Sequence, residues 1–401
     1  MKKIRTFFIV AMILGSITTV AQSPLVFSID VKALEKNKSR VLSKDALILP
    51  AYKQLLKDAD KALAFGPVSV MEKKNDPPSG DKHDYMSLAP YFWPNPATAD
   101  GLPYIRKDGE TNPEVKEYKD KEYMPALCER VNTLALAYYF SLDPKYAEHA
   151  AKLLRVWFID RNTKMNPNLN FSQAIKGTND GRGAGLIDSR HFIKVTDAIG
   201  LLQGSKYWTA ADQAGMKQWF TDFLNWMQTS KNGKDEMNAK NNHGDWYDAQ
   251  RLSIALFVGD NELAKKIVLN AEGRLDKQVD ESGMLPLEME RTTSLHYSGF
   301  ALEAFFNIAQ LADKTGINFW NYVSPSGKSL KKIFDALYPY LSKEKTWTGQ
   351  QIKDYDFEEG IPALVAGAKH LGCNRCVDAV KNIAGDKAAK LQIKLLTDID
   401  F

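Results

Sequence analysis

The feature that most constrains this chain is a series of apolar segments that starts near residue 122. In each segment, apolar residues recur every three or four positions over about 12 to 20 residues, the spacing of an amphipathic helix. Gly, Pro, Asn or Asp separates the segments, and alternating strand patterns are scarce. The segments are 124–142, 146–159, 210–230, 248–259, 261–275, 298–316 and 329–341. Consecutive segments pair naturally into helical hairpins. The pattern predicts an all-α protein and leaves a bundle, a solenoid and a closed toroid open.

The N-terminus has the layout of a secretory signal peptide. A basic start with Lys2, Lys3 and Arg5 precedes an apolar run over 7–14 and small residues that end at Ala21. This order predicts cleavage after Ala21, and the apolar run is too short for a permanent membrane span. No cysteine follows the cut, so we expect a soluble periplasmic or secreted protein without a membrane anchor.

The charge balance argues against nucleic acid or a membrane surface as partners. Of 53 Lys and Arg residues, three lie in the signal, so 50 remain against 49 Asp and Glu, a net charge of +1. No linker divides the remaining chain. We therefore expect a single domain over residues 22–401 that acts as a monomer, with any basic groove being local.

The cysteines and histidines give no sign of a metal or redox centre. Three cysteines, Cys128, Cys373 and Cys376, are an odd number, which argues against a disulfide framework. Cys373 and Cys376 have redox-motif spacing but lie in helical sequence without a βαβ pattern, so structural roles are favoured. No His/Glu pair has the HExxH spacing of a zinc site. We expect neither a metal nor another cofactor.

Three irregular stretches interrupt the helical pattern, at about 72–120, 162–190 and 281–299. The first is rich in Pro, Gly, Asp and aromatic residues, and its aromatic content argues against disorder. Together with NNHGDWYDAQ, residues 241–250, these stretches predict a groove built from long loops on a helical support.

Four polar residues in these stretches suit one chemistry, the removal of a proton next to a carboxylate. In a uronic acid, H5 becomes removable when hydrogen bonds and positive charge neutralise the neighbouring carboxylate. Asn242, His243 and Arg291 can supply these. Tyr297, with its pKa lowered from about 10 by Arg291, could then take the proton and return one to the leaving O4. Taken singly, each has an ordinary structural explanation, such as a helix cap for Asn242. Taken as a set, the four residues favour a catalytic role over separate structural roles.

Three motifs carry a resemblance to a known family. NNHGDWYDAQ, PLEMERTTSLHYSGFALEAF and DYMSLAPYFWPNP resemble the alginate-lyase superfamily of polysaccharide lyases, which includes families 5 and 38. The resemblance covers about 45–370. It implies an incomplete (α/α) toroid with a deep groove, and β-elimination at a uronate by Asn242, His243, Arg291 and Tyr297. In family 5, the Arg and Tyr lie one residue further apart, so this chain leans toward family 38.

The resemblance also suggests residues that contact substrate. Three upstream aromatics would stack on sugar rings. In the second irregular stretch, Lys176 and Arg182 would face flanking carboxylates and Gln173 would contact substrate. Glu236 would orient His243 or contact sugar. Two aromatics would form the wall behind His243, and His296 would support Tyr297. The upstream aromatics are Tyr85, Tyr91 and Trp93. The polar residues are Gln173, Lys176 and Arg182, and the wall aromatics are Trp246 and Tyr247.

Stereochemistry narrows the substrate. In mannuronate and glucuronate, H5 and O4 lie on the same side, so one tyrosine can serve as base and acid. Guluronate would require a second group, with His243 as base. We expect an acidic polysaccharide as partner, with mannuronate-rich alginate slightly preferred over β-glucuronan.

Other functions remain possible on a helical scaffold. A heparin or chondroitin lyase would normally carry an added β-sandwich domain, and a glycan-binding protein of an uptake system would normally carry a lipid anchor. A glycoside hydrolase would need two carboxylates that flank the scissile bond. The candidates for such a pair are Asp245, Asp248, Glu288 and Glu290.

Overall fold

The computed structural model describes residues 23–401, and the predicted signal peptide lies outside them. The helices are α1 (Val31–Leu42), α2 (Leu49–Ala62), α3 (Lys119–Ser141), α4 (Pro144–Leu154), α5 (Phe192–Leu202), α6 (Ala210–Thr229), α7 (Lys231–Met237), α8 (Asn242–Val258), α9 (Asn261–Gln278), α10 (Pro286–Met289), α11 (Ser294–Ala312), α12 (Leu330–Leu341), α13 (Ile361–His370) and α14 (Cys376–Ala384). The short strands are β1 (Met86–Leu88), β2 (Phe92–Trp93), β3 (Ile105–Arg106) and β4 (Phe171–Ala174).

The helices form two layers. The inner helices α3, α5, α8, α11 and α13 pack against one another in this order, and α4, α6, α9, α12 and α14 cover them from outside. Between α13 and α3, the ring is bridged by α2 together with the 3₁₀ segments of 385–395. The two layers of paired helices confirm the predicted (α/α) toroid.

The inner helices are buried on nearly every side. In α5, 10 of 11 residues are buried, and in α8, 14 of 17 are buried. The predicted apolar segments include α6, α9 and α12, whereas none of them covers α5, which directly follows the irregular stretch 162–190.

The irregular stretches come together at one region of the fold. No α-helix lies between α2 and α3, in agreement with the first predicted loop region. β1 pairs in parallel with β4, which joins the first irregular stretch to the second, and β2 pairs antiparallel with β3. The third stretch is shorter than predicted, because α11 already begins at Ser294.

The cysteines differ in part from the prediction. Cys373 and Cys376 form a disulfide at the start of α14, whereas Cys128 is free and buried in α3. Within residues 23–401, no helix combines the length and apolar composition that a membrane span requires.

Candidate active site

The start of α8 holds two of the predicted catalytic residues. Asn241 is the N-cap residue, and α8 begins directly at Asn242. Gly244 is required at the third position because a Cβ there would lie 2.1 Å from Nη1 of Arg274 and 2.3 Å from the Ala239 oxygen. The glycine therefore allows α9 to pack closely against this end of α8.

His243 is oriented by a buried carboxylate. Its Nδ1 lies 2.7 Å from Oε1 of Glu236, which is 3% exposed at the end of α7. An ionised carboxylate only accepts hydrogen bonds, so Nδ1 is the donor. Nε2 makes no hydrogen bond within the part of the chain that the structure describes, and the side chain is 23% exposed. The pair thus fixes the ring and leaves Nε2 available to a ligand.

Asn242 is held by a second buried carboxylate. Its backbone N–H donates to Oε1 of Glu288 at 2.6 Å, and its Nδ2 donates to both Glu288 oxygens at 2.9 and 2.8 Å. Asn242 is fully buried, and its Oδ1 has no partner among the described residues. In this state the amide cannot reach a substrate carboxylate, contrary to its predicted role.

Burial dominates the electrostatics of Glu288. It raises the pKa of this carboxyl, although the hydrogen bonds from Asn242 and the nearby charge of Arg291 oppose the change. Glu288 belongs to α10, and Arg291 follows it by three residues. The 242–243 and 291–297 segments therefore meet at Glu288.

Arg291 makes a bidentate ion pair with the first irregular stretch. Its Nε and Nη2 donate to the carboxylate of Asp108 at distances of 2.7 to 3.2 Å. The backbone N–H of Thr292 donates to the same carboxylate at 3.1 Å. Burial alone would raise the pKa of Asp108, but these hydrogen bonds hold it well below its usual range. Arg291 is thus already neutralised in this state.

Tyr297 lies in contact with both Arg291 and the upstream loop. The guanidinium carbon of Arg291 is 3.5 Å from the centre of the Tyr297 ring. The Tyr297 hydroxyl lies 2.7 Å from the hydroxyl of Tyr91, and Tyr297 is 8% exposed.

The predicted pKa of Tyr297 is wrong for this state. Burial and the neighbouring Tyr91 raise the pKa of the phenol, and the opposing effect of Arg291 is smaller. The sequence argument considered only the positive charge of Arg291. The fold adds the loss of water around the phenol and the neighbouring hydroxyl of Tyr91.

Tyr85 is not available to a sugar ring, contrary to prediction. It is fully buried, and its hydroxyl donates to Asp188 at 3.0 Å. Asp188 also accepts from Ser87 at 2.8 Å and pairs with Lys121. Tyr85 therefore connects the start of β1 to the 3₁₀ segment Gly183–His191 and stabilises the fold.

Gln173 and Arg182 extend the same buried network. Nε2 of Gln173 donates to Asp188 at 3.1 Å, and its Oε1 accepts from Nη2 of Arg182 at 2.9 Å. The guanidinium of Arg182 also lies 5.2 Å from the centre of the Phe92 ring. Gln173 is 5% exposed, so it positions Arg182 and does not itself reach substrate, contrary to prediction.

The remaining loop candidates lie nearer the surface. Lys176 pairs with Glu114 at 2.7 Å, so its charge is already partly neutralised. Trp93 is partly exposed, donates from Nε1 to the Glu110 oxygen at 2.9 Å and has the Lys107 ammonium 5.2 Å from its ring centre. Trp93 is therefore the loop aromatic most available for stacking.

The two aromatics that follow His243 have separate environments. Tyr247 is fully buried and donates to the Met227 oxygen at 2.9 Å. It therefore does not contact substrate, contrary to prediction. Trp246 is 4% exposed and packs on Phe300 with ring centres 5.0 Å apart. Both residues therefore belong to the packed wall behind His243.

His296 stands beside Tyr297 without a hydrogen bond to it. The two ring centres are 5.3 Å apart in an edge-on arrangement. Nδ1 of His296 lies 2.8 Å from Glu359, and both side chains are largely exposed.

The buried acids of this region do not fit a hydrolase pair. Asp245 and Glu288 are at most 1% exposed, and Asp248 is buried in an ion pair with Arg274 at 2.9 Å. Glu290 is exposed but lacks an accessible partner among these acids. Acids without access to solvent cannot flank a glycosidic bond.

Sequence reasoning singled out Glu236 as a partner of His243 but missed the other carboxylates that hold the site together. Asp108 and Asp188 were not singled out, and Glu288 was considered only for a hydrolase. A hint existed in Glu288, which precedes Arg291 by one helical turn. Nothing in the sequence indicates that Asp108, 183 positions away, would pair with Arg291.

A family model described as Alginate lyase matches residues 69–347. The crystal structure of an alginate lyase from Bacteroides ovatus has 40% sequence identity and a TM-score of 0.88, with 93% of this chain and 99% of that chain covered. No curated protein sequence matches the chain.

More distant structures share the fold. Alginate lyase A1-III, as a histidine-to-alanine variant complexed with tetrasaccharide, has 16% identity and a TM-score of 0.60, with 96% of this chain and 98% of that chain covered. The A1-III enzyme from Sphingomonas species A1 has 16% identity and a TM-score of 0.52, with 86% and 94% covered.

Proposed function

This chain belongs to the alginate lyase family, and from that membership we propose that it cleaves mannuronate-rich alginate by β-elimination. One observation carries the assignment of the base. The guanidinium carbon of Arg291 lies 3.5 Å from the centre of the Tyr297 ring, and Glu288, one helical turn before Arg291, binds Asn242 at the start of α8.

The first step in this proposal is neutralisation of the substrate carboxylate. Glu236 fixes the ring of His243, and Nε2 makes no hydrogen bond within residues 23–401. In the doubly protonated imidazolium, Nδ1 donates to Glu236 and Nε2 donates to one oxygen of the substrate carboxylate. Arg291 can contribute only after the substrate displaces Asp108. Neutralisation lowers the free energy of the enolate that forms when H5 leaves.

Tyr297 then transfers the proton. Once substrate has displaced Tyr91 and Asp108, the phenol loses its proton to solvent beside the unpaired guanidinium of Arg291. The phenolate oxygen then takes H5, the C5–H electrons form the C4–C5 double bond, and the C4–O4 bond breaks. The same phenol protonates the departing O4, which restores the phenolate. Arg291 stabilises this phenolate electrostatically, and positioned proton transfer contributes about 10²–10⁴-fold. The hydroxyl of Tyr91 must first leave Tyr297, so substrate entry requires this contact to break.

The choice of mannuronate rests on the single base. Because one phenol can reach H5 and O4 only from the same side, mannuronate and glucuronate fit and guluronate does not. Similar proteins are named alginate lyases, and one of them was solved with a tetrasaccharide. Alginate is therefore preferred over glucuronan.

We place the mature enzyme outside the inner membrane, because the N-terminal sequence has the features of a cleavable signal. Expression of the full chain in a bacterium tests this. N-terminal sequencing of the periplasmic or secreted protein should begin at Gln22, and a chain that retains Met1 in the cytoplasm would contradict export.

The substrate test is ultraviolet absorbance of the conjugated double bond that elimination creates. Purified protein is incubated with polymannuronate, polyguluronate, glucuronan and hyaluronan in parallel. We expect the fastest rise with polymannuronate. A faster rise with glucuronan would show that glucuronan is the preferred substrate. A flat signal with all four polymers would contradict lyase activity.

A further inference from the structure

A cavity of about 650 Å³ lies inside the ring of inner helices. Its lining includes Trp246 of α8 and His296 of α11, so it begins directly behind the candidate active site. Its far end reaches Trp320 and His370. The lining does not include Tyr297 or His243, so the two candidate groups for proton transfer and carboxylate binding lie outside it.

One face of α11 forms a wall of the cavity along its length. His296, Phe300, Glu303, Asn307 and Gln310 are spaced three or four residues apart, and each keeps accessible surface on a helix that is otherwise mostly buried. At 1.5 Å per residue, this face extends for about 21 Å. A ligand of several rings would fit along it.

Two charged groups in the cavity, Arg190 and Glu303, have no ion-pair partner among residues 23–401. Glu303 keeps accessible surface, and in the same residues its side chain makes no hydrogen bond. Arg190 is partly exposed, with its guanidinium 5.4 Å from the Phe300 ring centre, and its one side-chain hydrogen bond in the described chain goes to the Ile187 oxygen at 3.2 Å. Both charged groups can therefore bind a polar ligand that enters the cavity.

The surroundings of Arg190 suit a carboxylated sugar. A guanidinium binds a carboxylate through two parallel hydrogen bonds. Trp246 and Phe300 pack together beside it, which gives an aromatic wall for the apolar face of a sugar ring. Nε1 of Trp246 is buried and has no partner in the described part of the chain.

Glu303 can serve the hydroxyl groups. Burial raises the pKa of this carboxyl, and the nearby Arg190 and Lys194 oppose that change. A carboxyl group accepts hydrogen bonds in either protonation state and also donates when protonated. The volume falls within the range of about 300–1,000 Å³ typical of ligand sites.

We propose that this axial cavity is a second carbohydrate site that binds a short uronate oligosaccharide, with Arg190 on a carboxylate and Glu303 on hydroxyl groups. The identity of the sugar rests on the proposed function, because the enzyme generates uronate oligosaccharides next to the cavity mouth. The existence of the site rests on the lining alone.

The test is calorimetric titration of the Tyr297→Phe protein, which should not cleave, with a saturated mannuronate disaccharide. We expect two sites. Adding Arg190→Gln should weaken one of them by about tenfold or more, as expected for a lost charged hydrogen bond, and leave the other unchanged. Asn307→Trp, which fills the cavity by volume, should remove the same site.

Matched controls separate charge from shape. Lys107→Gln, at the rim beside Trp93, should leave the Arg190-dependent site intact. The neutral disaccharide mannobiose should bind the cavity at least tenfold more weakly than the uronate. A single site in the Tyr297→Phe protein, or two sites unaffected by both Arg190→Gln and Asn307→Trp, would overturn the proposal.

The result is independent of the lyase assay. Two sites together with a flat absorbance signal would refute the proposed function and leave a uronate-binding cavity. Lyase activity with one site would refute the cavity alone. Thermal unfolding of each variant shows whether the fold is retained, and the volume-filling variant provides the answer if Arg190→Gln does not fold.

Discussion

The two walls of the candidate groove are built in different ways. The helix wall contains Glu236, Asn242, His243, Arg291 and Tyr297, and the loop wall contains Tyr85, Tyr91, Trp93, Asp108, Gln173 and Arg182. On the helix wall, buried carboxylates from neighbouring elements hold His243 and Asn242. On the loop wall, only part of the predicted set faces the groove, because Tyr85 and Gln173 belong to the buried network around Asp188.

The difference shows how each wall contributes. Groups on the ends of packed helices have fixed positions, which suits proton transfer and charge stabilisation. The loop wall reaches the helix wall through two contacts, Tyr91 with Tyr297 and Asp108 with Arg291. In the proposed reaction, substrate replaces both contacts, and we therefore expect the loop wall to govern access. We expect changes in the helix wall to reduce the rate more than changes in the loop wall.

The largest effect should come from Tyr297→Phe. Without the phenol, neither removal of H5 nor protonation of O4 has a catalyst, and kcat should fall by about 10²–10⁴-fold while substrate still binds. The measurement is the absorbance rate with polymannuronate, together with calorimetric binding. The control is Tyr139→Phe, a tyrosine that packs under the Lys38 ammonium. Near-normal turnover by Tyr297→Phe would show that Tyr297 is not the group that transfers the proton.

The next effect should separate two histidine–carboxylate pairs. Glu236→Gln removes the charged acceptor that fixes His243, and kcat/KM should fall by about 10- to 100-fold, as for a lost hydrogen bond to a charged group. The matched change, Glu359→Gln, affects the exposed partner of His296 and should cost less than about threefold. Equal losses in the two variants would show that burial of the pair does not matter.

Asp108→Asn tests the link between the walls. Because Arg291 loses its charged partner, amide exchange in residues 89–118 should become about tenfold faster, with helix α8 unchanged. The carboxyl has a lowered pKa, so its stabilisation is present above the unfolded pKa of about 3.9 and is lost as pH falls through the folded value. The difference between the two proteins should therefore persist down to about pH 4 and shrink below it. Equal exchange in both proteins at neutral pH would show that Asp108 does not hold the loop.

The smallest effects should distinguish two tyrosines that the sequence treats alike. Tyr85→Phe removes a buried hydrogen bond to Asp188, so the free energy of unfolding should fall by about 1–2 kcal/mol with activity within about twofold. Tyr91→Phe should leave stability nearly unchanged and alter kcat/KM a few-fold, because its hydroxyl contacts Tyr297. Denaturant unfolding and the absorbance assay check both. A loss of activity in Tyr85→Phe together with a loss of stability in Tyr91→Phe would contradict the roles assigned to these two residues.

Much of the fold follows from periodicity, because amphipathic helices show their buried face in sequence. The predicted segments correspond to α3, α4, α6, α8, α9, α11 and α12. The sequence predicts α8 only from Asp248 onward, because Asn and Gly are poor helix formers. The structure begins the helix at Asn242, where the close approach of Arg274 requires Gly244.

The sequence by itself determined the helical class, the irregular stretches and the unusual polar residues, because these depend on local spacing and residue type. Only the tertiary structure decided which side chains share an environment. The contacts of Arg291 with Asp108 and of Tyr85 with Asp188 join residues distant in the chain. The raised pKa of Tyr297 likewise arises from burial, which a linear sequence does not contain. Long-range packing sets water access and charge pairing, and these two quantities decide which candidate residues can react.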